Sequence, residues 1–173
     1  MNEVPNYLKP LVVMAFWTGC RLGELLALEW RHIDLDNGRV TFEGVTTKNG
    51  EEKVIYLPRP ALQVMVEWRQ ETEALMARKG TIIGHVFHRD GKWLKRYDQF
   101  KTAWCNARVR LGLLHKGFHD FRRTATRRLL DAGVDDMTSM QITGHKTRSV
   151  FYRYNVRNEQ DVKNAAEKLS RLA

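Results

Sequence analysis

The stretch Thr18-Gly19-Cys20-Arg21-Leu22-Gly23-Glu24-Leu25-Leu26 holds the clearest break and restart in the chain. Upstream of it, Leu8, Leu11, Val12, Ala15 and Phe16 recur at helical spacing and draw one apolar face. Gly19 ends that helix, and residues 21–28 read as a second one. Arg21 then stands at a helix start, where the macrodipole disfavours a cation unless an anion is also there. Glu24, three residues on, shares the same face and is placed to hold the guanidinium. Taken alone, the pair reads sooner as an exposed intrahelical ion pair.

Working outward, a β-prone patch follows. Asp36-Asn37-Gly38 and Asn49-Gly50 are hairpin-turn sequences, flanked by strand-forming residues 40–46 and 53–57. Pro60 opens a helix in which Ala61, Met65, Trp68, Thr72 and Leu75 step by four and three, up to Gly80. Residues 85–88 form a short strand, and residues 97–111 a helix closed by Gly112. The last third is helical. Phe118, Phe121, Ala125, Leu129 and Ala132 make an apolar stripe with Gly133 as its C-cap. Asp135 or Asp136 caps a helix ending at Thr143-Gly144. Helices over 148–155 and 158–172 complete the chain, the latter burying Val162, Ala165, Ala166, Leu169 and Leu172. The fold class expected is mainly α with a small antiparallel β-sheet (α+β), as a single domain over residues 1–173.

The 173 residues suffice to bury one core, and 43% hydrophobic with 28% charged side chains exclude a disordered or collagenous chain. The longest apolar run, residues 11–17, is far too short for a bilayer span, and the first ten residues do not resemble a signal peptide. Two cysteines, Cys20 and Cys105, make no disulfide framework, so a reducing cytoplasm is the expected compartment. The net charge of +9 is unevenly spread. Residues 59–128 hold sixteen basic and six acidic groups, against six and eight in residues 1–58. A surplus confined to the middle of the chain suits a face for a polyanion better than general solubilisation.

Three further clusters bear chemistry. In His119-Asp120-Phe121-Arg122-Arg123-Thr124, His119 and Arg122 project from one face of a helix, with His119 in its first turn. Helix N-terminal amides plus two donors suit a phosphate, although a solvated basic face explains the segment equally well. Gly144-His145-Lys146 is followed by Phe151-Tyr152-Arg153-Tyr154, with Tyr154 nine residues after His145. Flanking Arg and His donors lower a tyrosine's pKa and stabilise charge on an attacked phosphate. Tyr152 and Tyr154 lie on roughly opposite helix faces, so only one enters a shared site. Lys48, beside the Asn49-Gly50 turn, reads by default as an ordinary exposed turn lysine, although a lysine at a hairpin tip can also be lowered onto DNA to donate a proton or charge.

In this order and spacing, these pieces resemble the catalytic domain of the tyrosine recombinases, the phage-integrase family, over nearly the entire chain. Thr18-Gly19-Cys20-Arg21-Leu22-Gly23-Glu24 matches the T-G-x-R-x-x-E pattern, continued by Leu28, Trp30 and Ile33-Asp34. Lys48 matches the hairpin lysine, His119 and Arg122 the H-x-x-R motif, His145 the G-H motif and Tyr154 the nucleophile. Phe121 and Thr143 depart from the leucines usual at those positions.

The resemblance implies the tyrosine recombinase catalytic-domain fold and a site-specific recombinase that joins its tyrosine to a DNA 3′-phosphate. Arg21 and Arg122 would fork onto the non-bridging oxygens, His145 would donate to them, Lys48 would protonate the departing 5′-oxygen and His119 would assist proton transfer at Tyr154. Both arginines are accordingly expected to be solvent-accessible. The same resemblance implies no cofactor and no metal, double-stranded DNA as partner, tetramer formation by the full-length protein, and a prokaryotic or phage origin. The family's N-terminal clamp domain is expected to be absent from this chain.

Other functions fit less of the sequence. A helix-turn-helix DNA binder would use residues 122–142 but leave Arg21, Lys48 and Tyr154 without a role. A metallonuclease centred on His85-Val86-Phe87-His88 has no accompanying carboxylate cluster. A type IB topoisomerase or telomere resolvase shares the site chemistry but not the integrase-like spacing. Should Lys48 not be the acid, Lys53 and His119 come next.

Overall fold

Residues 10–15 carry no polar side chain, and a helix apolar all round has to be wrapped by others. A computed structural model describes residues 3–44, 52–145 and 147–152, together with Lys163, Ala166, Glu167 and Ser170. In it this segment is the middle of α1 (Lys9–Thr18), with Pro10 in the first turn, where a missing N–H costs little. Residues 10–15 are all buried, because α3 (Arg59–Lys79) and α5 (Asp120–Asp131) both pack on the helix. The single apolar face expected from the spacing is therefore too narrow: α1 is the centre of the core.

The turn after α1 is closed by Gly19 in the left-handed region at φ +62°. The second helix, α2 (Leu22–Leu26), is shorter than the 21–28 span expected, since Arg21 is extended and caps it rather than joining it. Then come β1 (Ile33–Asp34), β2 (Arg39–Phe42) and β3 (Lys53–Tyr56), an antiparallel sheet in that order. The Asp36-Asn37-Gly38 turn forms as expected: Asp34 Oδ1 accepts the N–H groups of Asp36 and Asn37 at 3.1 and 3.0 Å. Val40 pairs with Ile55 and Phe42 with Lys53, putting Val40, Phe42 and Ile55 into the core. The strand expected over 40–46 ends at Phe42, and Asn49-Gly50 lies outside the described residues.

Along α3 the four-and-three step buries Ala61, Met65, Trp68 and Thr72, and the Trp68 indole donates to Val86 O at 2.7 Å. The strand expected at 85–88 is shifted. His85 makes only an isolated bridge to Glu29, and the hairpin β4 (His88–Arg89) and β5 (Lys92–Trp93) forms around Asp90-Gly91. The Trp93 indole ties it to α2 by donating to Leu26 O at 2.7 Å. The helix expected over 97–111 splits into a 3-10 turn (Tyr97–Gln99) and α4 (Lys101–Arg110), because Phe100, buried in the core, is not helical.

The chain continues through α5, α6 (Asp136–Thr143) and α7 (Arg148–Tyr152). Asp135 caps α6, accepting from Thr138 N–H at 2.9 Å. Of the apolar face expected for 158–172, Ala166 is exposed rather than buried, and its other four residues lie outside the described residues. Among the described residues no helix is long and apolar enough to cross a membrane.

Candidate active site

Two close approaches assemble the site. A methyl group added at Gly19 would stand 2.9 Å from Ala125 Cβ and 3.3 Å from Thr143 Cγ2, so the α1–α2 turn presses onto α5 and the end of α6. Gly144, at φ +73°, closes α6; a methyl there would meet Arg21 Nη1 at 3.4 Å and Lys53 Nζ at 3.6 Å. Residues far apart in sequence thus share one small volume.

Arg21 is held at several points. Its N–H donates to Glu24 Oε2 at 3.2 Å, Nη1 to Glu24 Oε1 at 2.6 Å and Nη2 to Gly144 O at 2.9 Å. The Arg21–Glu24 pair is not a surface pair: the carboxylate is only 3% exposed, while the arginine side chain keeps 30%. Lys53, from β3, donates to the other carboxylate oxygen at 2.7 Å and to Cys20 Sγ at 3.3 Å. Burial pushes the Glu24 carboxyl up, but Lys53 and Arg21 together outweigh it and hold it below its ordinary value.

Arg122 departs from expectation. It is 4% exposed, not solvent-accessible, because the polar groups around it close over its guanidinium. Nη1 donates to the carbonyls of Gly19 (3.0 Å) and Thr143, and Nε donates to His145 Nε2 at 3.1 Å. The Thr143 hydroxyl donates to Ser139 O at 2.6 Å and accepts from His145 Nδ1 at 2.7 Å. That assigns His145 as the neutral tautomer with its proton on Nδ1. Burial, then the charges of Arg122 and Arg21, depress its pKa to about 4.

His119 immediately precedes α5 as its cap residue, exposed, rather than lying in the first turn. Its pKa is lowered by partial burial and by Arg122 and Arg21, so it belongs to the same electrostatic cluster. Among the described residues, Arg21 and Lys53 thus share one carboxylate, Glu24, while Arg122 stands beside His145, leaving an excess of positive charge suited to an anion. Lys48 and Tyr154 lie outside the described residues. Tyr152 donates its hydroxyl to Asp136 Oδ2 at 2.8 Å. His85 and His88 serve packing: His85 stacks on Trp93 at 3.7 Å, and His88 is buried against Trp68 with Nε2 3.0 Å from Thr72 Oγ1.

Residues 2–161 match the model of the phage integrase family. The chain belongs to the phage integrase family. A shufflon-specific DNA recombinase of Escherichia coli is 32% identical over 142 residues, covering 82% of this chain and 32% of that protein. A XerC-like tyrosine recombinase of Caldanaerobacter subterraneus subsp. tengcongensis is 24% identical over 171 residues, covering 83% and 44%. This family member therefore spans less than half the length of those two relatives. The fold is shared with XerA recombinase, at TM-score 0.76 and 16% identity over 94% of this chain and 58% of that one. It is shared equally with XerH bound to a palindromic difH substrate after cleavage, at TM-score 0.72 and 20% identity over 96% and 46%. The fold is thus that of tyrosine recombinase catalytic domains, as the motifs implied.

The participant whose place the motifs left open is Lys53, weighed from sequence only as a substitute acid. Its signal is the β3 register: a strand position opposite buried Phe42 faces inward, and a lysine facing inward needs a carboxylate.

Proposed function

We propose that this chain is the single catalytic domain of a site-specific DNA recombinase that cleaves and rejoins strands through a 3′-phosphotyrosyl intermediate. The observation that carries this reading is the convergence of Arg21, Arg122 and His145 around Gly144, with Glu24 as the counter-charge. Two guanidinium groups fixed by backbone carbonyls are preorganised for the charge that grows on the non-bridging oxygens of an attacked phosphate. Family membership and relatives named as DNA recombinases support the same reading.

In the proposed reaction Tyr154 Oη forms a bond to phosphorus while the bond to the 5′-oxygen breaks. The tyrosine proton passes towards His119, and Lys48 protonates the departing 5′-oxygen. A partner strand's 5′-hydroxyl reverses the step, so the energy of the phosphodiester is retained and no cofactor or metal is required. With its proton on Nδ1, His145 first buttresses Arg122; the negative charge that grows on the attacked phosphodiester favours a proton on Nε2 and turns the ring into a donor. The Tyr152 hydroxyl, committed to Asp136, supports Tyr154 as the nucleophile.

Double-stranded DNA is the proposed partner, held by the basic middle of the chain. Tetramer formation on DNA by the full-length protein, a separate N-terminal clamp domain and a cytoplasmic location complete the proposal. The test is a nicked suicide duplex built from DNA flanking the gene, resolved on a denaturing gel. The chain should form a covalent adduct, Tyr154→Phe should form none while retaining DNA binding, and Tyr152→Phe should behave as wild type. An adduct from Tyr154→Phe but not from Tyr152→Phe would reverse the assignment.

A further inference from the structure

Lys53 is none of the six motif positions, yet it is built into their support. Its side chain is 10% exposed, crosses the Phe42 ring with Nζ 4.3 Å from the centroid, and ends on Glu24 and Cys20. Glu24 therefore bridges two cations, Lys53 on Oε2 and Arg21 on Oε1. We propose that Lys53 is a positioning residue for Arg21: by binding Glu24 it keeps the carboxylate ionised and oriented, so that the Arg21 guanidinium is locked in the plane that meets the scissile phosphate. This rests on the strand-cleavage reading above.

The physical case is one of burial. A carboxylate 3% exposed is costly with a single partner that is itself 30% exposed, because solvent screens that partner's charge and Oε2 is left with the Arg21 backbone N–H. Lys53 supplies the second charge from the dry side. Without it Glu24 either protonates, losing an acceptor for Arg21, or turns, and Arg21 keeps only the Gly144 carbonyl. The same geometry argues against Lys53 as the general acid, since its ammonium is already committed to a carboxylate inside the protein. The groups facing Glu24 are Cys20 and Arg21 before α2, Lys53 on β3, and His145 and Arg122 beyond the Gly144 carbonyl.

The experiment uses the whole chain with Lys53→Met and Lys53→Arg. Lys53→Met should slow adduct formation on the suicide duplex by roughly 100-fold at unchanged DNA affinity, the scale of a misplaced catalytic group. It should also deepen the loss of rate towards low pH relative to wild type, as Glu24 takes up a proton in addition to His119. Lys53→Arg should recover most of the rate. A duplex with sulfur at the bridging 5′ position should not rescue Lys53→Met, whereas it should rescue Lys48→Ala. In a Glu24→Gln background, Lys53→Met should add no further loss, which keeps the test decisive even if one single variant folds poorly. Guanidinium NMR reports the coupling without any reaction: the Arg21 Nη signals should be resolved in wild type and averaged in Lys53→Met. Sulfur rescue of Lys53→Met would make Lys53 the acid, and full rate with an unchanged Arg21 spectrum would remove its role altogether. If wild type forms no adduct, the strand-cleavage reading fails, while the Arg21 spectrum still decides the coupling.

Discussion

At the scale of the residue, the two arginines are not equivalent. Arg122 fills a buried cage, so Arg122→Ala strands the Gly19 and Thr143 carbonyls and His145 Nε2 without their donor. A loss of 3 kcal/mol or more is expected, at about 1–3 kcal/mol per unsatisfied buried group. Arg21→Ala leaves Glu24 paired with Lys53 and with the backbone N–H of residue 21, so its cost should stay well below that of Arg122→Ala. Urea titrations of both variants check this ordering, and equal stabilities would place Arg122 outside the packed structure. On the suicide duplex both should lose rate by roughly 100- to 1,000-fold, as for removal of one preorganised donor. Rate and stability therefore separate at Arg21 and fall together at Arg122.

At the scale of the element, the α1–α2 turn sets the distance between the motifs. Gly19 is left-handed and has Ala125 Cβ within 2.9 Å of where its own Cβ would stand. Gly19→Ala should therefore force α1 and α5 apart as well as strain the backbone, costing on the order of 2–3 kcal/mol. Adduct formation should fall with it, because Arg122 reaches Gly19 O across this contact. A melting temperature equal to wild type would show that α5 shifts freely. Gly23, with nothing within 4 Å of an added methyl, is the control: Gly23→Ala should be neutral or stabilising.

At the scale of the whole molecule, two buried histidines with separate partners, His88 and His145, each have a pKa depressed from 6.5 to about 4, first of all by burial. The unfolded chain binds these protons more readily than the native one, so stability is complete above pH 6.5 and drains as pH falls towards 4. Each site contributes at most roughly 3 kcal/mol, from 1.36 kcal/mol per pKa unit. Denaturant midpoints measured from pH 7.5 to 4 should fall steadily, and His88→Gln should remove part of the slope; a flat profile would contradict the burial of both rings. The proposed DNA contact also belongs to this scale. The sixteen basic residues in 59–128 imply that affinity falls by about 1,000-fold or more between 50 and 200 mM salt if six or more phosphates are neutralised. Filter binding on a fixed duplex measures that slope, and a salt-insensitive affinity would remove the basic face from the interface.

The sequence alone determined the helical class, the hairpin turn at Asp36-Asn37-Gly38, an aspartate at the start of α6 and the spacing of Arg21, His119, Arg122 and His145. These are local matters: turn chemistry, apolar period and motif distance are all written within a few neighbouring residues. Only the tertiary structure decided that α1 is buried on every side, that Phe100 splits its helix, that Arg122 is enclosed and that Lys53 reaches Glu24. Burial and pairing at these positions depend on which segments pack together, as when β2 sets Phe42 opposite Lys53 and Gly144 admits Arg21. A charge shows its partner only once the fold has removed the water from around it.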